Sequence, residues 1–264
     1  MSTPSDLPSA LAARDALAQR FAGELPAVFL DYDGTMTPIV PNPEDAVLTP
    51  DARAVLARTG GLMPTAIVSG RDTDDVAALV GVDGLTYAGS HGFDILRPDG
   101  ARDQSRGEPY LADLDAAERV LDGPIAAISG AAVERKRFAI AVHYRGVADA
   151  DVPRVEATVD EALSATGGLR KTGGKKIFEL RPDVDWHKGK AVEALMASLG
   201  LGNAAVPVYI GDDLTDEDAF TAIRGQGVGI CVEGGDHHTA ADYSLADPAE
   251  VVSFLDWMTQ QRDG

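Results

Sequence analysis

Residues 27–37 read Ala-Val-Phe-Leu-Asp-Tyr-Asp-Gly-Thr-Met-Thr, an apolar run that ends in two aspartates separated by one residue. The run at 27–30 predicts a strand that is buried on both faces. Asp31 and Asp33 then follow the carboxyl end of this strand, where open α/β sheets bind their ligands. Two carboxylates this close repel each other, so a fold tolerates them beside a cation or with a shared proton. The segment therefore predicts a reaction centre at the edge of a sheet.

Further apolar runs alternate with helical patterns on both sides of this segment. They predict strands at 65–68, 85–88, 206–210 and 228–232, and helices at 50–58, 72–80 and 186–199. A further helix is expected to start near Ser5 or Asp6. Alternating strands and helices are typical of βαβ units. We therefore expect an α/β fold with a Rossmann-like parallel sheet and helices on both faces.

The middle of the chain has a different pattern. It predicts a helix at 110–121, strands at 132–136 and 138–145, and a helix whose valines and leucine share one face at 152–163. Two further strands are expected at 169–172 and 175–181, around the hairpin signal Gly173-Gly174. The order αββαββ predicts an inserted α+β cap domain at 106–182. The core is then discontinuous and consists of residues 1–105 and 183–264.

Composition limits the classes of partner. The chain has 264 residues, of which 45% are hydrophobic, so it can bury a substantial core. Its formal charge of −19 repels phosphate backbones and anionic lipid, which argues against nucleic-acid and membrane partners. An anionic small molecule can still bind where lysine and arginine reverse the local field. We expect a monomer that binds a small anionic molecule.

The single cysteine, Cys231, excludes an intramolecular disulfide and fits a reducing compartment. It lies in an apolar run, which favours a buried structural thiol. The first twenty residues lack the uninterrupted apolar stretch of a signal peptide, and no segment has the length of a membrane span. We expect a cytoplasmic protein.

Other polar groups also follow predicted strands or begin predicted helices. They are the segment Ser69-Gly70-Arg71, Lys188, and the acidic run that contains Asp212, Asp213 and Asp216. Each has an ordinary structural explanation on its own, as a helix cap, a solvated lysine or acids in a first helical turn. Together they place four carboxylates, Asp31, Asp33, Asp212 and Asp213, at one sheet edge. Such a group needs a hard cation with oxygen ligands, for which Mg²⁺ is the best candidate.

These motifs resemble those of the haloacid dehalogenase-like phosphatases, which carry D-x-D-G-T first and an acidic G-D-D-x-x-D last. Within that superfamily the chain is similar to the trehalose-6-phosphate phosphatase family. The resemblance covers about residues 27–256 and rests on these segments: 31–35, Ser-Gly-Arg 69–71, Gly-Ser-His-Gly 89–92, Val-Glu-Arg-Lys 133–136, His-Tyr-Arg 143–145, Glu-Leu-Arg-Pro 179–182, Trp-His-Lys-Gly 186–189 and 211–220. Met36 stands where the family usually has leucine, a change of similar volume.

The resemblance implies hydrolysis of trehalose 6-phosphate to trehalose and phosphate through an aspartyl-phosphate. Asp31 is then the nucleophile, and Asp33 protonates the leaving sugar oxygen and later activates water. Ser69 and Lys188 hold the phosphoryl oxygens. Mg²⁺ is bound by the carboxylates of Asp31 and Asp212 and the carbonyl of Asp33.

The remaining residues that the resemblance singles out belong to the metal site and to substrate binding. Asp213 and Asp216 are counted with the metal site, where they orient Lys188 or metal-bound water. The cap is expected to act as a lid over the sheet edge, and its polar strand faces bind the sugar hydroxyls. The predicted substrate-binding residues of core and cap are Thr35, Gly70, Arg71, His91, Glu134, Lys136, Arg145, Lys175 and Glu179. For Arg145 a solvated sheet face explains the pattern equally well.

Three alternative functions remain. A related phosphatase for sucrose 6-phosphate or mannosyl-phosphoglycerate has the same core, and the set Glu134, Lys136 and Glu179 discriminates against it. A non-catalytic sugar-phosphate sensor is expected to lack Asp31, Asp33 or Lys188, and all three are present. A phosphomutase differs by the lifetime of its phosphorylated form, which the sequence does not reveal.

Overall fold

The computed structural model describes residues 3–174, 176–232 and 237–262. Its strands are β1 (Leu25–Leu30), β2 (Thr65–Val68), β3 (Thr86–Gly89), β4 (Asp94–Leu96), β5 (Arg102–Asp103), β6 (Ala132–Arg135), β7 (Ile140–His143), β8 (Leu169–Gly174), β9 (Ile177–Pro182), β10 (Ala205–Gly211), β11 (Val228–Val232) and β12 (Tyr243–Leu245). Its helices are α1 (Arg14–Arg20), α2 (Pro50–Leu62), α3 (Thr73–Val80), α4 (Leu111–Ala126), α5 (Val152–Ser164), α6 (Lys188–Ser198), α7 (Glu217–Ile223) and α8 (Pro248–Gln260). Among the described residues, no helix has both the length and the hydropathy required to cross a bilayer.

The larger sheet has the strand order β12-β11-β10-β1-β2-β3-β4-β5. Strand β1 pairs in parallel with β10 on one side and with β2 on the other, whereas β4 runs antiparallel to β3. Strands β2 to β5 follow β1 in the chain and extend the sheet on one side of it. Strands β10 to β12, which come after the middle segment, extend the sheet on the other side. The carboxyl ends of β1 and β10 therefore flank the topological switch point, where open α/β sheets form a crevice. The predicted parallel α/β core is confirmed.

Helices cover both faces of this sheet. Val28 and Leu30 of β1 share a hydrophobic cluster with Leu56 of α2 and Phe254 of α8. On β10, Val208 and Ile210 belong to the same cluster. Because successive side chains of a strand point to opposite faces, Tyr209 points to the other face. There its ring packs edge to face against Phe220 of α7 at 5.6 Å between centroids.

The chain divides into two compact units, Met1–Arg102 with Trp186–Gly264 and Asp103–Asp185. The second unit contains an antiparallel sheet of order β6-β7-β9-β8. One sheet face contributes Ile140, Val142 and Leu180 to a separate hydrophobic core, to which α4 and α5 add Leu121 and Val159. The opposite face carries polar side chains. Each unit thus has its own buried core.

The predicted amino-terminal helix starts in the wrong place. The segment Pro4–Asp6 forms one short 3₁₀ turn, and the first α-helix begins only at Arg14. The reason is a competing pairing with β12, in which Ala10 N–H donates to Ser244 O at 2.9 Å and Ser244 N–H donates to Pro8 O at 3.0 Å. Backbone groups used in this bridge are not available to a helix, and Pro8 has no N–H to offer.

Two boundaries in the smaller unit also differ from the prediction. The hairpin does not turn at Gly173-Gly174, because both glycines belong to β8 and Gly174 pairs with Ile177. The reversal lies two residues later, where Lys176 adopts φ +67°. Helix α4 passes the expected end at residue 121 because Ile125, one turn further on, is fully buried.

Cys231 lies on β11 and is 1% exposed, as predicted for a structural thiol. Burial, followed by the negative charge of Glu217, raises its pKa to about 12. The thiol therefore remains protonated, and it is unsuited to nucleophilic chemistry.

Candidate active site

Asp31 and Asp212 follow two neighbouring parallel strands, which places both carboxylates at the switch point. Leu30 at the end of β1 is in register with Ile210 of β10. The backbone N–H of Asp31 continues this ladder and donates to Ile210 O at 2.9 Å. Asp31 is 6% exposed and Asp212 is partly buried. The register of the two strands thus brings two acids, 181 positions apart in the sequence, into one site.

Lys188, the first residue of α6, is the cation of this site. It is 3% exposed, and its Nζ lies 2.9 Å from Asp31 Oδ1 and 2.7 Å from Asp216 Oδ1. Burial by itself lowers the pKa of Lys188, but the charges of Asp216 and Asp31 outweigh it and raise the pKa above its ordinary value. The ammonium is therefore charged and shared between two carboxylates.

Asp216 is the anchor of Lys188. Its Oδ1 accepts hydrogen bonds from Lys188 and from Tyr209 Oη, and its Oδ2 accepts from the backbone N–H groups of Asp212 at 3.1 Å and Asp213 at 3.0 Å. A Cβ atom at Gly211 would lie 2.3 Å from Asp216 Cγ, so only glycine lets the carboxylate reach this position. Sequence reasoning did not single out Tyr209, although a hydroxyl in an otherwise apolar buried strand is a signal that could have identified it.

The acidic cluster carries more negative charge than Lys188 balances. Oxygen atoms of Asp31, Asp212 and Asp216 lie within 4.8 Å of one another. Burial raises the pKa of Asp31 well above its usual range, and the charges of Asp216 and Asp212 add to this while Lys188 opposes it. Burial and the charge of Asp216 raise the pKa of Asp212 to about 6, and the charge of Lys188 offsets part of the rise. A buried oxygen-only donor set with excess negative charge fits a hard divalent cation.

The loop after β1 is shaped around Asp212. Gly34 adopts φ +87°, and a Cβ atom at this position would lie 2.2 Å from Asp212 Oδ2. Thr35 Oγ1 donates to Asp212 Oδ1 at 3.2 Å. The glycine and threonine of the first motif therefore hold the carboxylate of the last one. Thr35 is fully buried and contacts this metal-site candidate.

Arg71 and Asp33 form a bidentate ion pair. Arg71 Nε lies 2.7 Å from Asp33 Oδ2, and Nη2 lies 2.7 Å from Oδ1. The same guanidinium donates to Asp75 Oδ2 at 3.0 Å and to Pro43 O at 2.8 Å. Burial opposes the charge of Arg71, but the hydrogen bonds and charges of Asp33 and Asp75 raise its pKa above the ordinary value. Arg71 therefore contacts the candidate acid–base residue directly.

Ser69, Gly70 and His91 lie together where the chain leaves β2 and β3. Ser69 is 1% exposed, and its Oγ accepts from Arg71 N–H at 3.2 Å. His91 N–H donates to Ser69 O at 2.8 Å, and a Cβ at Gly70 would lie 2.9 Å from His91 Cε1. Ser90 and His91 have φ of +48° and +57°, a left-handed conformation that costs free energy in non-glycine residues. This strain is concentrated beside the candidate site.

Asp213 and Tyr32 contribute to loop structure next to these groups. The side chain of Asp213 is exposed, and its Oδ1 accepts from Leu214 N–H at 2.6 Å. The fully buried Tyr32 donates its hydroxyl to Ala46 O at 2.5 Å and so ties down the loop that leaves the active-site strand. In this structure Asp213 therefore acts as a cap at the start of a 3₁₀ turn.

The predicted sugar-binding residues of the smaller unit lie mostly on one polar sheet face. Glu134 and Glu179 flank Ala141 in the strand register. Lys136 Nζ lies 3.8 Å from Glu179 Oε1, and Glu134 Oε2 lies 2.8 Å from the Nε2 atom of a histidine at the end of β7. Arg145 is exposed beyond the end of β7. Lys175 lies outside the described residues.

The switch-point site combines a buried carboxylate, a buried ammonium and an acidic cluster on a parallel α/β sheet. This fold and site are those of an α/β phosphatase. The family model for trehalose-phosphatase matches residues 29–249, and the chain belongs to this family.

Two relatives and one solved structure illustrate the similarity. A trehalose-phosphate phosphatase of Mycolicibacterium paratuberculosis is 45% identical over 270 residues, which cover 97% of this chain and 68% of that protein. An uncharacterized glycosyl hydrolase of Mycobacterium tuberculosis is 46% identical over 260 residues, which cover 95% of this chain but only 19% of that much longer protein. The solved structure of a trehalose-6-phosphate phosphatase related protein has a TM-score of 0.78 and 26% identity, and covers 89% of this chain and 97% of its own.

Proposed function

We propose that this chain is a Mg²⁺-dependent phosphatase that hydrolyses trehalose 6-phosphate to trehalose and phosphate. The observation that carries the proposal is the placement of Lys188 between Asp31 and Asp216 at the switch point of the sheet. A carboxylate nucleophile beside a buried ammonium is suited to attack on a phosphorus atom that carries negative charge. Membership of the trehalose-phosphatase family supports the choice of substrate.

In the first step, an oxygen of Asp31 forms a bond to phosphorus while the bond from phosphorus to the sugar oxygen breaks. Lys188 stabilises the charge on the phosphoryl oxygens in the transition state. Ser69 Oγ already accepts an N–H from Arg71, so its own hydrogen is the group that it can donate to a phosphoryl oxygen. The product of the step is an aspartyl-phosphate and the free sugar alcohol.

Asp33 handles the proton in both halves of the cycle. It donates a proton to the departing sugar oxygen, and it then takes one from the water that attacks the aspartyl-phosphate. Arg71 positions this carboxylate through two hydrogen bonds. To carry a proton, Asp33 must release one of its two hydrogen bonds with Arg71. The guanidinium can then bind the substrate phosphate instead.

Asp31, Asp212 and the main-chain carbonyl of Asp33 are the groups assigned to Mg²⁺. When bound, the ion offsets the negative charge that phosphate and carboxylates bring together. Asp216 is assigned to Lys188 instead, because four donors already occupy its two oxygens. Asp213 is assigned to the adjoining turn and to the orientation of water.

Recognition of the sugar is assigned to the polar face of the smaller sheet. Glu134, Lys136 and Glu179 supply carboxylates and an ammonium to this face. The carboxylates accept hydrogen bonds from the hydroxyl groups of a disaccharide, and the ammonium donates hydrogen bonds to them. The assignment makes residues 106–182 the specificity domain and the remainder the catalytic core.

The decisive experiment measures phosphate release from a panel of trehalose 6-phosphate, sucrose 6-phosphate, glucose 6-phosphate, mannosyl-phosphoglycerate and p-nitrophenyl phosphate, with Mg²⁺ and with EDTA. We expect the highest kcat/KM for trehalose 6-phosphate, and loss of turnover in EDTA. Asp31→Asn should reduce kcat by at least about 1,000-fold. Equal rates on the sucrose and glucose phosphates contradict the specificity, and an active Asp31→Asn variant contradicts the nucleophile.

A second pair of variants tests the assignment of the smaller unit. Glu179→Gln should raise KM for trehalose 6-phosphate and leave hydrolysis of p-nitrophenyl phosphate unchanged. The control is Glu156→Gln, which alters an exposed glutamate on α5 that pairs with Lys171 at 3.0 Å. If the two variants behave alike on trehalose 6-phosphate, Glu179 does not select the sugar.

A further inference from the structure

Tyr209 places a hydroxyl group inside the acidic cluster, although no step of the proposed reaction uses it. Its ring and the side chain of Asp216 are both fully buried. Tyr209 Oη lies 2.5 Å from Asp216 Oδ1, the same oxygen that accepts from Lys188 Nζ at 2.7 Å. The tyrosine hydroxyl and the lysine ammonium therefore share one carboxylate oxygen.

The hydroxyl must be the donor in this contact. A carboxylate accepts and does not donate, and Asp216 already receives two backbone N–H groups on its other oxygen. Burial, and then the charge of Asp216, raise the pKa of Tyr209 well above its ordinary value, so the hydroxyl keeps its hydrogen at neutral pH. A short hydrogen bond to a buried charge is among the stronger ones in proteins.

We propose that Tyr209 is a positioning residue for Lys188, acting through Asp216. The hydroxyl holds Asp216 Oδ1 in place, and this oxygen in turn fixes the ammonium 2.9 Å from the nucleophile Asp31. The inference rests on the proposed phosphoryl transfer at Asp31. It adds Tyr209 to that proposal, as a residue that contacts neither substrate nor metal but determines the position of the Lys188 ammonium.

Removal of the hydroxyl has a defined consequence. In Tyr209→Phe the ring keeps its edge-to-face contact with Phe220, while Asp216 Oδ1 is left with Lys188 as its only side-chain donor of the original two. The excess negative charge then draws the ammonium toward Asp216 and away from Asp31. Because a hydrogen bond to a buried charged group is a strong one, kcat should fall about 10- to 100-fold with little change in KM.

The matched control is Tyr87→Phe. Tyr87 is also a buried strand tyrosine, and its hydroxyl donates to a backbone carbonyl, Val82 O, at 2.6 Å. Both substitutions remove one hydrogen-bonded hydroxyl from a buried strand tyrosine, so both should lower the melting temperature. Only Tyr209→Phe should lower kcat.

The test measures kcat, KM and melting temperature for wild type, Tyr209→Phe, Tyr87→Phe, Asp216→Asn and the double variant Tyr209→Phe/Asp216→Asn. If Tyr209 acts through Asp216, adding Tyr209→Phe to Asp216→Asn should change kcat less than about twofold. Fully multiplicative losses, or a kcat of Tyr209→Phe within about twofold of wild type, overturn the inference. If Tyr209→Phe does not fold, 3-fluorotyrosine at 209 and at 87 replaces it, and kcat should then change only at 209; unchanged kcat at both positions overturns the inference.

Wild type and Asp31→Asn are assayed in parallel to separate the two proposals. An inactive wild type, or an active Asp31→Asn, refutes the proposed function. An active wild type with an inactive Asp31→Asn and an unimpaired Tyr209→Phe refutes the role of Tyr209 alone.

Discussion

Gly34 shows how a single residue without a side chain joins the two acidic motifs. Its positive φ and the 2.2 Å approach that a Cβ atom would make to Asp212 both exclude other residues. The D-x-D-G-T pattern predicts a glycine at this position, but it does not predict that this glycine packs against the carboxylate of Asp212. That partner comes from the end of another strand, and local sequence carries no information about it.

Gly34→Ala should abolish most of the activity, because the new Cβ displaces Asp212 from the cluster. The control is Gly84→Ala, since Gly84 has a similar φ of +82° but a Cβ atom there would meet nothing within 4 Å. Both variants share the cost of a left-handed alanine, about 1 kcal/mol in unfolding free energy. We expect kcat to fall at least about tenfold more in Gly34→Ala, and equal kcat values would contradict the steric role.

The raised pKa of Asp212 predicts how stability depends on pH without metal. The pKa is about 6 in the native state against 3.8 ordinarily, so between these values the native carboxyl holds a proton that the unfolded chain has lost. The contribution of Asp212 to the free energy of unfolding therefore falls as pH rises from about 4 to 6. Urea unfolding in EDTA should show this fall in wild type and a weaker one in Asp212→Asn.

Asp213→Asn is the control for this measurement, because Asp213 is the exposed neighbour in the same turn. Its pH profile should stay close to that of wild type with a slightly smaller fall, because the charge of Asp213 contributes to the raised pKa of Asp212. A profile of Asp212→Asn that also coincides with wild type would show that burial does not penalise the Asp212 carboxylate.

The start of α8 is determined by contacts within a single helical turn. Asp247 precedes α8 and its Oδ1 accepts from Glu250 N–H at 2.9 Å, while Glu250 Oε2 accepts from Ala246 N–H at 2.8 Å. This reciprocal arrangement depends only on residues within one turn. The predicted helix start near Ser5 or Asp6 is wrong for the opposite reason, since the pairing with β12 involves residues more than 230 positions away.

Asp247→Ala should lower the free energy of unfolding by about 1 kcal/mol, because a helix that carries the buried Phe254 and Leu255 loses its cap. The control is Ser253→Ala on the exposed side of the same helix, whose hydroxyl bonds back to Ala249 O. That change should be near neutral. Chemical denaturation measures both, and equal losses would contradict the capping role.

At the scale of the whole molecule, two separate hydrophobic cores govern stability. Leu56 belongs to the core of the larger unit and Leu121 to that of the smaller one, and both are fully buried. A strand-and-helix pattern that switches from parallel to antiparallel in mid-chain predicts such a division. Which residues complete each core depends on packing between segments that are far apart in the sequence.

Leu121→Ala and Leu56→Ala should each cost about 2–5 kcal/mol. Hydrogen–deuterium exchange should rise selectively in peptides from Asp103–Asp185 for Leu121→Ala, and in the remaining peptides for Leu56→Ala. A uniform rise across the chain in both variants would show instead that the two units unfold as one.

Residue patterns alone are enough to predict the class of fold and the gathering of acids at one edge of the sheet. Apolar periodicity predicts β1, β2 and β11 nearly to the residue, because strand burial is a local property of residue type. Acids at strand ends predict a cation-binding edge, because the carboxyl ends of parallel strands converge there. Family resemblance added the proposed substrate and the proposed roles of Asp31 and Lys188.

Which side chains touch is a property of the complete fold. Lys188 lies 28 positions from Asp216, and Arg71 lies 38 from Asp33, distances over which residue patterns specify no partner. The structure also brought in Tyr209, whose hydroxyl is noticeable in an apolar strand but whose partner, Asp216, does not follow from the sequence. Hydrogen bonds depend on register, rotamer and burial to within a few tenths of an ångström, and these are set by the packing of the whole chain.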